Sequence, residues 1–354
     1  MSKPRIAVIG IGRLGSFHTR LVAEGNLFDL VAIVEPVEAA RHIAIEKFAV
    51  RGVKHVSQII DEIDCAIIAT PTRYHFEVGQ TLLRAGKHLL VEKPITLNIT
   101  QADDLIALAD SNNLVLQVGH VERFNPAYTA VAKHISNPVF IDVSRTSNYS
   151  FRSIDIGVTL DLMIHDIDLV LSLVDSPLTD ISAVGSIVIG PQEDIANARL
   201  TFENGTFANL TASRVNCEPQ RTMRIEGPQG STKIDFGASS AYTIDVSQHA
   251  KSLQIDLAKT SQLELNDLQE RFFIDYLPKT EVTIPDGNAL AMEQQDFAAA
   301  ITEGVPVQVS GRAGRDALAV AIEIANRICN TTSKAPHAIK GPHFDASVAK
   351  TQVS

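Results

Sequence analysis

Short apolar runs alternate with amphipathic stretches over the first 120 residues of the chain. The apolar runs cover residues 6–9, 31–34, 66–69, 89–91 and 114–116. Continuous runs of this kind are typical of strands that are buried on both faces of a parallel sheet. Between them, apolar residues recur at helical spacing, as at Val78, Leu82 and Ala85. Thr100 with Asp103 resembles a capping box at the start of a further helix. The alternation predicts an α/β fold, a Rossmann-type doubly wound parallel sheet with helices on both faces.

The pattern changes after about residue 121. A helix is predicted over residues 161–173, and the chain is strand-like from about residue 180 to 285, with turn signals between the strands. Two helices follow, and the tail beyond residue 331 has weak periodicity. We therefore predict two domains: a dinucleotide-binding domain over residues 1–121, and an α+β domain with a large, mainly antiparallel sheet over residues 122–354.

A glycine-rich loop follows the first apolar run. Residues 10–15 form a G-x-G-x-x-G motif made of Gly10, Gly12 and Gly15, with Arg13 and Leu14 between the last two glycines. The motif follows a buried strand and precedes an amphipathic helix, and this is the context in which it indicates dinucleotide binding. The glycines permit a tight turn, and the N–H groups at the start of the helix bind a pyrophosphate. The loop predicts a dinucleotide site.

Glu35 ends the second strand, 20 residues beyond Gly15. An acidic side chain at this place accepts hydrogen bonds from the hydroxyls of the adenine ribose. A 2′-phosphate would bring negative charge against this carboxylate, and the next residue is Pro36 rather than a basic one. NAD is therefore favoured over NADP, although Arg13 could still reach a phosphate.

Composition excludes several classes of protein. The 31 Lys and Arg residues against 41 Asp and Glu residues give a net charge of −10, which argues against binding to nucleic acid or anionic membranes. Cys65, Cys217 and Cys329 are far apart in the sequence, so neither a disulfide framework nor a zinc site is expected. The chain carries no apolar run of membrane-spanning length and no signal peptide. These features predict a cytoplasmic protein that acts on a small molecule.

Three further segments carry a family resemblance. Residues 70–75 (TPTRYH) and residues 92–94 (EKP) each follow a predicted strand, and residues 161–168 (DLMIHDID) lie in the second domain. Together with the glycine loop, and in this order, they resemble the signatures of the Gfo/Idh/MocA oxidoreductase family. The resemblance covers essentially the whole chain. It implies NAD(P)-dependent dehydrogenation of a CH–OH group in a sugar or polyol, by a homodimer or homotetramer that assembles through the sheet of the second domain.

The resemblance also implies roles for individual residues. Lys93 matches the family's catalytic lysine and His165 its catalytic histidine, with Asp161 as the acidic residue one turn earlier. The cofactor-lining positions match Thr70, Pro71, His75 and Glu92.

The chemistry of these residue types agrees with those roles. Lys93 follows a parallel strand, at the sheet edge where ligands bind in α/β folds. Its ammonium group can stabilise a developing alkoxide. His165 can accept a proton near neutral pH, and Asp161, four residues earlier on a helix, can orient it. Which of Lys93 and His165 is the formal base is open. No metal site is predicted, because no cysteine or second histidine stands at ligand spacing from His165.

The segment GHVERFNP, residues 119–126, stands at the predicted junction of the domains. It is similar to the branch of the family that oxidises UDP-N-acetylhexosamines, such as UDP-N-acetylglucosamine, at C3 to a 3-keto sugar. Arg123 and Asn125 are candidate substrate ligands by position. Arg145 and Arg152 are candidates for the diphosphate, because guanidinium pairs with phosphate in a bidentate way. Two alternatives stay open: a dehydrogenase of inositol, another polyol or a free sugar, and an NAD-binding sensor without chemistry.

Overall fold

The apolar runs of the first half form a parallel sheet. A computed structural model describes residues 3–151, 156–189, 191–253, 256 and 259–332. The strands of this sheet are β1 (Arg5–Ile9), β2 (Asp29–Val34), β3 (Gly52–Val53), β4 (Cys65–Ile68), β5 (His88–Glu92) and β6 (Leu116–Gly119). Their order is β3-β2-β1-β4-β5-β6, and every pair is parallel. This is the strand order of the doubly wound dinucleotide-binding fold, so the predicted architecture is confirmed.

Four helices connect these strands: α1 (Arg13–Glu24), α2 (Glu38–Phe48), α3 (His75–Arg84) and α4 (Ile99–Ser111). The predicted capping box of Thr100 and Asp103 is wrong. The helix begins at Ile99, and its cap is Asn98, whose side chain accepts a hydrogen bond from the Gln101 N–H at 3.0 Å. Asn98 is extended, as an N-cap residue must be, and its side chain satisfies one of the unpaired donors of the first turn.

The second sheet has eight strands: β7 (Phe140–Thr146), β8 (Leu178–Ser186), β9 (Ile195–Phe202), β10 (Phe207–Ser213), β11 (Gln220–Gly227), β12 (Gly230–Asp235), β13 (Ser240–Asp245) and β14 (Lys279–Val282). Their order is β14-β13-β12-β11-β7-β10-β9-β8. Strands β7 and β10 are parallel, and the other pairs of this sheet are antiparallel. The predicted large, mainly antiparallel sheet is confirmed.

Further helices of this unit are α5 (Pro126–Ala132), α6 (Ile164–Leu173), α7 (Gln248–Ser252) and α8 (Gln262–Arg271), with π-helical turns at Thr159–Met163 and Phe272–Tyr276. Helix α5 packs on β12 and β13. Helix α6 packs on β7 and β10. Strand β9 alternates strictly, with Ala198 and Leu200 buried and Asn197 and Arg199 exposed. One face of the sheet therefore belongs to the core, and the other is open and polar within this unit.

Two later helices, α9 (Ala289–Glu303) and α10 (Gly311–Thr332), complete the described chain. The described residues divide into two compact units. Residues 287–323 belong with residues 1–124 in the first, and residues 125–286 belong with the chain from Ile324 in the second. This differs from the predicted division at residue 121, which placed all later residues in one domain. Phe297 explains the difference, because it is fully buried in the core around β1 and its ring lies 6.1 Å from that of Phe28.

Among the described residues, no helix combines the length and apolar character that crossing a membrane requires. The tail with weak periodicity lies, from residue 333 on, outside the described residues.

Candidate active site

The glycine loop is shaped by two close approaches. Gly10 has φ +87°, and a Cβ there would lie 2.8 Å from the Ala69 carbonyl oxygen. A Cβ on Gly15 would lie 1.8 Å from the carbonyl oxygen of Gly10. Neither position tolerates a side chain, because helix α1 starts directly against the ends of β1 and β4. At Gly12, by contrast, a Cβ would meet no atom within 4 Å, so this side of the loop is open.

The open side of the loop fits an anionic ligand. The first helical hydrogen bond runs from the Ser16 N–H to the Gly12 carbonyl at 2.9 Å. The N–H groups of Arg13, Leu14 and Gly15 precede it and have no acceptor within the helix. The hydroxyl of Thr70, after β4, is buried without a hydrogen-bond partner among the described residues. Free donors at a helix N-terminus with an adjacent unused hydroxyl are what a dinucleotide's pyrophosphate requires.

Glu35 faces the same loop. One carboxylate oxygen accepts the Ile11 N–H at 3.0 Å, and the other accepts the Val37 N–H at 3.0 Å. Each oxygen keeps a second lone pair for a ribose hydroxyl. Arg41, which the sequence analysis did not single out, donates to the Glu35 main-chain carbonyl at 2.7 Å and to that of Pro36 at 3.3 Å. The part of the site predicted to bind the adenine ribose therefore contains the Glu35 carboxylate, held by two N–H groups. The Arg41 guanidinium nearby donates to main-chain carbonyls.

His75 ties together the loops after β4 and β5. Its ring lies between the carbonyl oxygens of Thr70, at 2.8 Å, and Pro94, at 2.9 Å, and the residue is 1% exposed. Burial lowers the pKa of His75 below its usual value. The predicted cofactor-lining residue thus lies between the loops that carry Thr70 and Pro94, with each ring nitrogen facing a main-chain carbonyl oxygen.

Glu92 ends β5 and is buried. It accepts from His18 of helix α1, with Oε1 2.9 Å from Nε2, and its other oxygen accepts the Lys93 main-chain N–H at 3.3 Å. Lys93 is half-buried and precedes a cis peptide bond to Pro94. The expected catalytic lysine is therefore held at the carboxyl edge of the sheet by a carboxylate that the helix of the glycine loop fixes in place.

His120 lies close to the positive charge of Lys93. His120 is 1% exposed. Burial, and secondarily repulsion from Lys93 and Arg123, lowers the pKa of His120 to about 3. The ring is therefore neutral at neutral pH. No role for His120 was predictable, because nothing in the sequence shows that it lies close to the lysine.

The two predicted substrate ligands in residues 119–126 form hydrogen bonds within the fold. The Arg123 guanidinium donates to the Gln308 carbonyl at 3.3 Å, and the Gln308 side chain donates back to the Arg123 carbonyl at 3.4 Å. Asn125 is the N-cap of helix α5, with its side-chain oxygen accepting the Ala127 N–H at 3.0 Å. The expected role of Asn125 as a substrate ligand is at odds with this cap, since the same oxygen serves the helix.

Asp161 and His165 stand on either side of a change in helix type. Asp161 lies in the π-helical turn Thr159–Met163, and His165 is the second residue of α6. Both are half-buried. Single π turns often occur at functional sites, where the wider turn re-aims a side chain. The predicted regular helix over residues 161–173 thus has an irregular first turn, and this turn carries the candidate acid.

The predicted role of Arg145 in binding a diphosphate is wrong. Arg145 is 4% exposed, and its guanidinium is bidentate with Asp166, with distances of 2.8 to 3.0 Å to the carboxylate oxygens. The pair joins β7 to α6, one residue beyond His165. An arginine buried on a carboxylate stabilises the fold and is not available to a phosphate. Arg152 lies outside the described residues.

A second buried ion pair was not predicted. Arg214, after β10, donates to Asp194 at 2.7 Å and to the Ile156 carbonyl at 2.8 Å. The other oxygen of Asp194 accepts the Val188 and Ile189 N–H groups. Nearby, the Tyr149 hydroxyl and the Thr159 hydroxyl are buried without hydrogen-bond partners among the described residues. Buried hydroxyl groups without protein partners are rare, and each requires a polar partner such as a water molecule or a ligand.

Comparison with known proteins agrees with this picture. Residues 4–120 match the oxidoreductase family with an NAD-binding Rossmann fold, and residues 129–233 match the GFO/IDH/MocA C-terminal domain. The chain is 35% identical over 325 residues to the UDP-N-acetylglucosamine 3-dehydrogenase of Acidithiobacillus ferrooxidans, covering 90% of this chain and 96% of that protein. The chain belongs to the Gfo/Idh/MocA oxidoreductase family.

A second relative and a solved structure give the same family. The scyllo-inositol 2-dehydrogenase (NAD(+)) of Bacillus subtilis is 28% identical over 235 residues, covering 60% of this chain and 68% of that one. A solved structure of the Acidithiobacillus ferrooxidans enzyme superposes with a TM-score of 0.81 at 32% identity, over 93% of this chain and 98% of that chain. The oxidoreductase class, the NAD-binding domain and the family expected from the sequence are thus confirmed.

Replacing Arg145 tests its structural role. Arg145→Ala removes the bidentate partner of the buried Asp166 carboxylate, and we expect the free energy of unfolding to fall by about 3–5 kcal/mol. Denaturant unfolding measures this loss. Arg84→Ala is the matched control, since Arg84 is exposed at the end of α3 and its loss is expected to cost within about 0.5 kcal/mol. An Arg145→Ala protein with wild-type stability and a selective rise in KM for a nucleotide sugar would restore Arg145 as a ligand.

Proposed function

We propose that this protein uses NAD to oxidise C3 of a UDP-N-acetylhexosamine, such as UDP-N-acetylglucosamine, to the 3-keto sugar. The observation that carries the proposal is the 35% identity to a UDP-N-acetylglucosamine 3-dehydrogenase over nearly the full length of both chains. Two inositol dehydrogenases, by contrast, are 28% identical over 60% of this chain and 25% identical over 90% of it.

Four residues of the chain contribute to the proposed oxidation. When bound, NAD accepts a hydride from the alcohol carbon. Lys93, fixed beside Glu92, stabilises the developing negative charge on the substrate oxygen. His165 is the second candidate to take the hydroxyl proton, and Asp161 orients the histidine or a substrate hydroxyl. A neutral His120 beside Lys93 adds no second positive charge that would repel the ammonium group. Either Lys93 or His165 serves as the formal base.

The polar side-chain atoms that form no hydrogen bond within the fold support a ligand with many hydroxyl groups. Arg145 is used by the fold, so fewer arginines are left for the diphosphate than the sequence indicated. Asn125, the neutral candidate ligand, caps helix α5. The half-buried guanidinium of Arg123 donates to the Gln308 carbonyl and lies close to His120. The unpaired hydroxyls of Tyr149 and Thr159 suit a sugar equally well with or without a nucleotide. The diphosphate assignment therefore rests on similarity more than on counted arginines.

Trapping the product tests the substrate. The purified enzyme is incubated with NAD and, separately, with UDP-N-acetylglucosamine, UDP-N-acetylgalactosamine, myo-inositol and free N-acetylglucosamine. Alcohol oxidation by NAD is unfavourable at neutral pH, so the keto product is captured by a coupled aminotransferase and detected by mass spectrometry. We expect a keto product from a UDP-N-acetylhexosamine. If only inositol or a free sugar is oxidised, the nucleotide-sugar assignment is wrong and the polyol alternative holds.

Lys93 and His165 are expected to act in the chemical step. Lys93→Ala and His165→Ala should each bind NAD, because the glycine loop and Glu35 are unchanged, and each should lose about two to four decades in kcat. Lys54→Ala and His42→Ala, which remove exposed residues of the same types, are the controls. Near wild-type turnover in either test variant removes that residue from the mechanism. If the wild type binds NAD but oxidises none of the compounds tested, the alternative of an NAD-binding sensor holds.

Glu35 is expected to select NAD over NADP. Removing its charge in Glu35→Gln weakens the bonds to the ribose hydroxyls, so NAD affinity should fall about tenfold or more and the preference over NADP should shrink. Calorimetric titration with both cofactors measures the change. Glu38→Gln, which alters an exposed carboxylate nearby, is the control, and Arg41→Ala tests whether that guanidinium aids NADP. Equal affinities for the two cofactors in the wild type would contradict the proposal.

We further propose that the protein is a cytoplasmic homodimer or homotetramer that assembles through the open face of the second sheet. Val184 on β8, which is 58% exposed, supports an apolar contact there. The free cysteines among the described residues, two of them exposed, fit a reducing compartment. Light scattering should find an oligomer at micromolar concentration, and Val184→Glu should weaken it. A wild-type protein that is only monomeric refutes the assembly.

A further inference from the structure

A buried acidic cluster lies beneath the candidate cofactor site in the first unit. His18 from α1, Glu92 from β5 and Glu293 from α9 each offer a side-chain atom, and these atoms all lie within 4.8 Å of one another. His18 and Glu293 are fully buried, and Glu92 is 6% exposed. Three ionisable groups in so small a dry volume are costly unless protons or a cation balance their charge.

The position of Gln294 decides which proton His18 carries. The side-chain nitrogen of Gln294 lies 3.0 Å from His18 Nδ1 and 3.3 Å from the His18 carbonyl oxygen. A carbonyl oxygen only accepts, so the amide nitrogen donates to both atoms and Nδ1 is an acceptor. The ring proton is therefore on Nε2, which donates it to Glu92 at 2.9 Å. The nitrogen that faces the carboxylates is occupied by a proton, which disfavours a metal ion in the cluster.

Glu293 is the member of the cluster without a partner. Neither of its carboxyl oxygens has a hydrogen bond in the part of the chain that the structure describes. The other charged groups near it are Glu92, Asp296 on the same helix, and Glu122 and Arg123 on the 3-10 turn that packs against α9. Burial, followed by repulsion from Glu92 and Asp296, raises the pKa of Glu293 well above its usual value. The acid form fits this site, since ionisation would add a second buried negative charge beside Glu92.

We propose that Glu92 and Glu293 share one proton in the free protein and that binding of the oxidised cofactor expels it. The inference rests on the proposed function, because it requires NAD. Glu92 ends β5, in the half of the sheet that takes the second mononucleotide of a dinucleotide. The oxidised nicotinamide ring carries a positive charge, which offsets the second carboxylate. The reduced ring is neutral and offers no such compensation.

The proposal links hydride transfer to a proton. Oxidation of the alcohol produces ketone, reduced cofactor and one proton, and the positive charge of the ring disappears. The carboxyl pair then takes up a proton, which matches the one that the substrate hydroxyl gives up. The charge buried near the sheet edge is therefore the same before and after the reaction. By reciprocity of linked binding, the oxidised cofactor must bind more tightly as pH rises, and the reduced cofactor must not.

Calorimetry on the cofactor-free protein tests the linkage. NAD and NADH are titrated into the wild type, Glu293→Gln and Asp296→Asn in two buffers of different ionisation enthalpy. We expect wild type and Asp296→Asn to release a proton to the buffer with NAD and not with NADH, and Glu293→Gln to release none. The dissociation constant for NAD should fall by up to about tenfold per pH unit as the pair titrates, and this slope should be absent in Glu293→Gln.

The outcomes separate the inference from the function on which it rests. If NAD does not bind, the proposed function fails. If NAD binds and the wild type releases no proton, or Glu293→Gln releases as much, the inference fails alone. A wild type that retains a stoichiometric metal ion by elemental analysis, lost in Glu293→Gln, also overturns it. Should Glu293→Gln not fold, the infrared carbonyl band of a protonated carboxylic acid serves in its place. This band must disappear from the wild type when NAD binds, and its persistence refutes the proposal.

Discussion

The close approach of helix α1 to strands β1 and β4 is the constraint on which the first unit depends. It is possible only because Gly10 and Gly15 lack side chains, since a Cβ on Gly15 would stand 1.8 Å from a carbonyl oxygen. The same approach has two consequences. It turns the N–H groups of the first helical turn toward the ligand, and it brings His18, one turn further along, onto Glu92 at the end of β5. The phosphate-binding loop and the segment that carries Lys93 are therefore parts of one packed arrangement.

Buried charge is used differently in the two units. In the second unit, Arg145 with Asp166 and Arg214 with Asp194 are paired within the fold. Arg145 holds β7 to α6 one residue beyond His165, and Arg214 holds the end of β10 to Asp194 and to the Ile156 carbonyl. In the first unit, Glu92 and Glu293 lie close together without a buried cation between them in the described residues. An acid pair left in this state responds to charge that arrives with a ligand, whereas a neutralised pair does not.

Local patterns in the sequence predicted the fold well. The glycine motif and the apolar runs are local signals, and the sheet orders agree with them. The stretch predicted to be strand-like, residues 180–285, also contains helices α7 and α8. Long-range packing was not predictable in the same way. Nothing local shows that Phe297 enters the core around β1. Residues 287–323 were therefore predicted to lie in the second domain, whereas they belong to the first unit.

The same limit applies to the candidate site. Lys93, Glu35 and the glycines are identified by what precedes them in the sequence. Arg145 looked available because a sequence shows a guanidinium but not its partner, and Asp166 is 21 residues away. Glu293 was missed altogether, because a helical glutamate is ordinarily exposed and only the fold reveals that it is buried. Alternating hydrophobicity therefore predicts elements, while the partners of buried polar groups require the structure.

The central claim is that the hydride leaves C3 of a UDP-N-acetylhexosamine for a nicotinamide bound at the carboxyl edge of the first sheet. Isotope transfer measures this event directly. The enzyme is incubated with NAD and UDP-N-acetylglucosamine carrying deuterium at C3, and the reduced cofactor is analysed by mass spectrometry and NMR. The account predicts that deuterium appears at C4 of the reduced nicotinamide, and that the Lys93→Ala protein transfers little. Reduced cofactor without deuterium, or none formed from any nucleotide sugar, would contradict it.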